Sequence, residues 1–286
     1  MTVNLAPNHK YGLVLPASVM PAAGILGYGD VYRDLVDLSA LGAVVTHPLS
    51  LRPRRAARGA RIAVRGDHVL VHTGWPNPGL RRAVRRHGKS WARCPVPVFV
   101  HLLATPPDDV GRAADRLSSV EGVAGLELGF AADTPPDDVF ALVDAAKFEG
   151  AHPLIAKVPA GRVGDLAPSL VEVGVDALTL TAPPRAVLPL YRGDDDPLPT
   201  RYLRGRLYGP SRFPRLLNVL AKWVSELPVP IIACGGIANA RDALACLSLG
   251  AEAVQIEACV WRDPTILTTI AAALAQPVVP EEDVAG

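Results

Sequence analysis

Short β-branched apolar runs, each bounded by Gly or Pro, recur along the chain and are followed by amphipathic stretches. Eight such runs occur, at 17–22, 42–46, 96–102, 124–128, 153–158, 176–181, 229–234 and 252–256. Their unbroken hydrophobicity suits strands covered on both faces. Helical spacing predicts helices near 30–40, 80–91, 107–120, 135–149, 163–173, 212–227, 239–249 and 263–275. Asp30, Asp108 after Pro106–Pro107 and Asp137 after Pro135–Pro136 match first-turn preferences. Eight alternating units without a low-complexity linker predict an α/β fold, a single (β/α)₈ TIM barrel spanning residues 1–286.

Two stretches interrupt the alternation. Residues 47–78 follow the second strand and suggest a hairpin, Arg61–Val64 with Val69–His72, turning at Gly66–Asp67. Residues 182–211 follow the sixth strand. Loops this long usually serve as lids or binding loops, and both leave the strand ends where barrel enzymes place their chemistry.

Composition narrows the class. With 286 residues, 49% of them hydrophobic and 20% charged, the chain can bury a sizeable core. No apolar run approaches the roughly 18 residues needed to span a bilayer, and Met1–Lys10 lacks a secretion signal's apolar stretch. Cys94, Cys234, Cys246 and Cys259 show neither CxxC nor zinc spacing, so a reducing cytoplasm is expected and no metal site is. The net charge of +1 hides an asymmetry: 52–93 holds eleven arginines and Lys89 against Asp67 alone. That surface suits an anionic substrate or an acidic partner. Nothing resembling a nucleic-acid recognition element accompanies it.

The strand ends carry the candidate chemistry. Lys157 lies inside the apolar run PLIAKV, where an unpaired charge would cost several kcal/mol. It needs an anion, a cofactor's polar edge or an altered pKa. Gly235–Gly236 after strand seven, with the end of strand eight, has the position of a barrel phosphate cradle. His47 and His101 end strands, and His72 precedes the turn Thr73–Gly79; each is a possible proton donor or a hydrogen-bonded structural histidine. There is no GxSxG elbow and no GxGxxG fingerprint.

These residues carry a resemblance. VMPAAGILGYGDVYRDLVDLSALGAVVTHPLSLRPR, TGWPNPG, LIAKVPAG, LYGPSRFPRLLNVL and PIIACGGIANARDALACLSLGAEAVQI together resemble the class 1 dihydroorotate dehydrogenases, FMN-containing barrels. The resemblance implies that Ala22, Ala23 and Gly24 border the flavin ring, with Thr46 beside it and Lys157 at its polar edge. It further places Thr181, Cys234, Gly209, Gly235, Gly236, Glu257 and Ala258 along the cofactor towards its phosphate. It also implies a homodimer, and in one subclass an iron–sulfur flavoprotein subunit passing electrons to NAD.

The departures from the family pattern fall on the substrate. The cysteine base of the family's ELNISCPN falls on Ala132, and its asparagines fall on Gly129 and Thr134. Two further asparagines fall on Val71 and Thr181, and a lysine falls on His47. A small anionic substrate other than dihydroorotate is therefore expected, with His47 or His72 as the replacement acid–base group beside Lys157. Glu257 puts a carboxylate at the phosphate end, where charges about 4 Å apart repel by roughly 4 kcal/mol at an effective dielectric near 20. Two other readings remain open from sequence: a redox-silent scaffold barrel, and a Schiff-base enzyme using Lys157.

Overall fold

The computed structural model describes residues 2–191, 193 and 197–276. Residues 192 and 194–196 of the second long loop lie outside the described residues. The eight apolar runs form eight parallel strands, β1 (Val19–Pro21), β2 (Val44–Val45), β3 (Val98–Leu103), β4 (Val123–Gly129), β5 (Leu154–Pro159), β6 (Ala177–Ala182), β7 (Ile231–Cys234) and β8 (Ala253–Ile256). They pair in sequence order from β2 to β8, and β8 pairs back onto β1. The β1–β2 seam is joined by the Gly42 N–H donating to the Val19 carbonyl at 2.7 Å. A Cβ at Gly42 would lie 2.0 Å from the Ala17 carbonyl oxygen, so only glycine lets the barrel close there.

Helices α1 (Leu80–Trp91), α2 (Pro107–Ser118), α3 (Pro136–Glu149), α4 (Val163–Glu172), α5 (Phe213–Trp223), α6 (Ala240–Ser248) and α7 (Ile266–Ala275) follow the expected periodicity. Pro at the first turn followed by paired aspartates starts both α2 and α3. The helix expected at 30–40 does not form. Tyr32 adopts φ 61°, which an α-helix cannot contain, and Gly27 and Gly29 also have positive φ. Turns replace it, ending in a short 3₁₀ segment, Leu38–Ala40, capped by the Asp37 carboxylate accepting from the Ser39 N–H at 2.9 Å.

An apolar layer fills the lower barrel. Met20, Val45, Phe99, Ile155, Ala177, Ile232 and Ala253 point inward and pack on Val3, Leu5, Leu13 and Leu15 of the N-terminal hairpin that closes the bottom. A larger cluster lies between barrel and helices.

The two long loops combine into one structure. Ile62–Arg65 and His68–Val71 form the expected hairpin, shifted by a residue, and pair through the latter with Arg201–Tyr208, which pairs in turn with Arg185–Leu190. This four-stranded antiparallel sheet is anchored by fully buried Leu70, worth about 2 kcal/mol of apolar burial. It brings Arg206 and Tyr208 over the barrel mouth.

Candidate functional site

Side chains two residues apart on a strand share a face, so the inward apolar layer fixes what lies above it. One step beyond Phe99, Ile155, Ala177, Ile232 and Ala253 stand His101, Lys157, Thr179, Cys234 and Gln255. Each is buried. β4 adds Glu127, paired in register with His101, and none of its surface is exposed.

Glu127 is the hub of this polar layer. Its Oε2 faces His101 Nδ1 at 2.6 Å, while Oε1 accepts from Thr179 Oγ1 at 2.9 Å and from Gln255 Nε2 at 2.7 Å. Lys157 Nζ lies 3.7 Å from Oε1 and donates to Gln255 Oε1 at 2.5 Å. Burial alone would raise the Glu127 carboxyl; Lys157 and His101 outweigh it and hold the carboxyl at about 2. Burial also disfavours the Lys157 ammonium, yet Cys234, Glu127 and Glu257 more than offset this and raise it above the usual lysine value. Burial and Glu257 push the Cys234 thiol up to about 12, so at neutral pH the anion that faces Lys157 is not that thiol but Glu127. Lys157 is thus held as an ammonium, the opposite of what a Schiff-base lysine needs.

Above this layer the barrel mouth narrows to a slot of about 50 Å³ lined by Ala22, Ala23, Lys157, His101, Arg206 and Tyr208, among others. Such a slot has room for a few waters. With Glu127 holding Nδ1 of His101, the other ring nitrogen, Nε2, stands 2.6 Å from where a Gly129 Cβ would be. The glycine thus gives the imidazole its place. Neither His47 nor His72 lines this slot. His47 Nε2 lies 3.1 Å from the Pro76 carbonyl, and burial lowers its pKa. His72 is exposed in a wider cleft of about 640 Å³ together with Arg54, Arg185, Arg204 and Arg206.

The remaining candidates divide between buried or half-buried positions and a second cleft. Gly24, at φ 86°, turns the chain beside His47, and Thr46 Oγ1 accepts from the His101 N–H at 3.2 Å. Thr181 Oγ1 donates to the Cys234 carbonyl at 3.1 Å. Gly209, Gly236, Glu257 and Ala258 border a second cleft of about 460 Å³ at the outer end of β7 and β8. Gly209, Gly235 and Gly236 all have positive φ, and a Cβ at Gly236 would meet the Phe213 nitrogen at 2.5 Å. Arg212, which the sequence reading did not single out, is buried beside Glu257, and Glu257 lines both cavities. Arg212 ion-pairs with Glu257, and its Nη2 donates to the Thr181 carbonyl at 2.6 Å.

A flavin phosphate suits the outer cleft, where Cβ-free glycines expose backbone, and a flavin ring edge suits the Lys157 ammonium. The chemistry of the residues suits FMN at both ends, while the inner slot of about 50 Å³ is smaller than a flavin ring and Glu257 lines the outer cleft. Between them the groove is closed by Tyr208 and by the Arg212–Glu257 pair. Among the described residues no His, Cys, Asp or Glu group could hold a metal, and no helix is long and apolar enough to cross a membrane.

The sequence profile described as "Dihydroorotate dehydrogenase" matches residues 204–278. The chain is 32% identical over 284 residues to the dihydroorotate dehydrogenase B (NAD(+)) catalytic subunit of Pelobacter propionicus, covering 95% of this chain and 91% of the relative. The equivalent subunit of Desulforudis audaxviator is also 32% identical, over 93% of this chain and 90% of that one. The crystal structure of DHODH from Eimeria tenella in complex with ferulenol superposes with a TM-score of 0.76 at 18% identity, covering 94% of this chain and 83% of that one. That likeness speaks for the barrel fold.

Proposed function

Because the chain belongs to the dihydroorotate dehydrogenase family, whose members are FMN-dependent flavoprotein oxidoreductases, we propose that it oxidises or reduces an anionic organic substrate other than dihydroorotate. The observation that carries the reading is the slot itself. Where the family resemblance puts base and amides, this chain has Ala132, Gly129, Thr134 and Val71, and the imidazole of His101 faces the slot in their stead.

FMN, when bound, supplies the hydride acceptor or donor. Lys157 would offer its ammonium to the ring's polar edge, and Ala22 and Ala23, small side chains on the same slot, would border it. Glu127 fixes the His101 ring through Nδ1 and balances its charge, so that Nε2 can take a proton from substrate or return one. Arg54, Arg185, Arg204 and Arg206 draw an anion into the cleft above the slot. Ala132 is exposed and only its carbonyl is engaged, accepting from Arg162 Nη1 at 3.0 Å. The relatives are named as catalytic subunits, and by extension this chain hands electrons to an iron–sulfur flavoprotein partner.

The test is anaerobic mixing of FMN-reconstituted protein with dihydroorotate and with a panel of carboxylate and phosphate metabolites, following flavin absorbance. Bleaching by a panel member that His101→Asn slows a hundredfold or more supports the reading. Rapid bleaching by dihydroorotate, unaffected by His101→Asn, sinks it.

A further inference from the structure

The flavin groove is interrupted by side chains of the protein itself. Glu257 lines both the inner slot of about 50 Å³ and the outer cleft of about 460 Å³, so it stands on the boundary between them. Arg212 is its partner, and the two side chains retain only 6% and 3% of their surface. Each is tied down by further bonds. Arg212 Nη2 donates to the Thr181 carbonyl at 2.6 Å, and Cys234 Sγ donates to Glu257 Oε1 at 3.4 Å. The guanidinium also fills the space above Gly235, where a Cβ would lie 2.8 Å from Nη2. Tyr208, on the four-stranded sheet, lines the slot and packs against the edge of Trp261, which lines the outer cleft, with ring centroids 5.2 Å apart. A ligand reaching from the Lys157 ammonium to the glycine cradle must cross this line.

We propose that the Arg212–Glu257 ion pair is an internal latch across the flavin groove, so that FMN seats only when the pair separates. The inference rests on the family reading of the site as a flavin site. Two physical consequences follow from the geometry. While latched, Arg212 is neutralised by Glu257 and is not available to a phosphate, and the Glu257 carboxylate faces the cleft a phosphate dianion would enter. The apparent affinity for FMN is then the intrinsic affinity multiplied by the fraction of chains with the latch open. A latch open in about one chain in a hundred weakens loading about a hundredfold.

The closing experiment compares FMN and riboflavin binding to flavin-stripped wild-type protein and to Arg212→Met/Glu257→Gln, by quenching of flavin fluorescence and by ligand-induced change in Tm. Neutral residues of similar volume usually preserve a fold that held a buried ion pair. If circular dichroism shows that the double variant is unfolded, Arg212→Lys, which keeps the charge opposite Glu257 but loses the anchor on the Thr181 carbonyl, serves the same readout. The latch predicts that the double variant binds both flavins at least tenfold more tightly than wild type. It is overturned if wild type binds FMN as tightly as the variant, or if the variant binds FMN more weakly, which would make Arg212 a phosphate ligand. A further variant, Tyr208→Ser, widens the slot from the lid side. If neither wild type nor any of these variants takes up either flavin, the flavin-site reading itself fails and takes the latch with it, an outcome distinct from equal binding.

Discussion

Glu127→Gln isolates the charge at the centre of the polar layer while keeping its shape. The amide can still accept from Thr179 and meet Gln255, so the main loss is the anion 3.7 Å from Lys157 and 2.6 Å from His101. At 3.7 Å and an effective dielectric near 20, the Lys157 attraction alone is about 4 kcal/mol. The depressed pKa of the carboxyl points the same way. Its shift from 4.5 in the unfolded chain to about 2 in the fold corresponds to about 3 kcal/mol. A loss of roughly 3–4 kcal/mol is expected at neutral pH, equivalent to a fall in Tm of about 5–7 °C for a chain of 286 residues. The sign with pH is fixed by the direction of the shift. A depressed carboxyl stabilises the fold at pH above its unfolded value, and that contribution is lost as pH falls through the folded value. Urea unfolding of wild type and variant from pH 7 down to pH 2.5 should therefore show a gap that is constant to about pH 5 and then narrows. A gap under 1 kcal/mol, or one that ignores pH, would refute the placement of Glu127 as the counter-ion.

Other expectations follow from single contacts. Gly42→Ala places a methyl 2.0 Å from the Ala17 carbonyl at the barrel seam, so denaturant titration should show a loss of about 3 kcal/mol or more. Cys234 is fully buried with its thiol pushed up to about 12; peptide mapping after treatment with a thiol reagent at pH 8 should find it unmodified in native protein and modified in urea. Arg54→Gln/Arg204→Gln removes two exposed guanidiniums from the 640 Å³ cleft. Calorimetry with citrate as probe should show binding weakened roughly tenfold at low salt, the difference shrinking as salt rises.

The alternation of β-branched runs with amphipathic stretches carried the barrel, because that pattern is a local consequence of strands covered on both faces and helices covered on one. The expected helix at 30–40 failed for a reason that is also local. The segment's apolar spacing is helical, yet Tyr32 takes a left-handed conformation and two neighbouring glycines turn the chain. Periodicity reports which side chains want burial and does not report the φ that tertiary packing imposes. Lys157 was legible because a lysine inside an apolar run demands a partner. Its partner was legible in principle too. Counting two residues on from Phe99, Ile155 and Ala253 arrives at His101, Lys157 and its hydrogen-bond partner Gln255, whereas the counter-ion Glu127 stands two beyond Gly125, which has no side chain to mark the layer. Strand ends read one at a time direct attention instead to His47 and His72, on loops whose course the sequence does not give.

The Arg212–Glu257 pair lay beyond that reach, and the reason bears on how such sites diverge. Glu257 on its own looks like a carboxylate set against a phosphate, and Arg212 on its own looks like one more arginine in a chain holding 24 of them among its 29 basic residues. Neither is tolerable alone at this depth, since an uncompensated buried charge costs several kcal/mol. Each therefore requires the other in this fold, and the pair sets the electrostatics of the outer cleft. A double-mutant cycle carries the argument to measurement. Arg212→Met and Glu257→Gln should each cost about 3 kcal/mol or more singly, and the double variant much less than their sum. Additive costs would mean that the two side chains are not partners, and the groove would then be open.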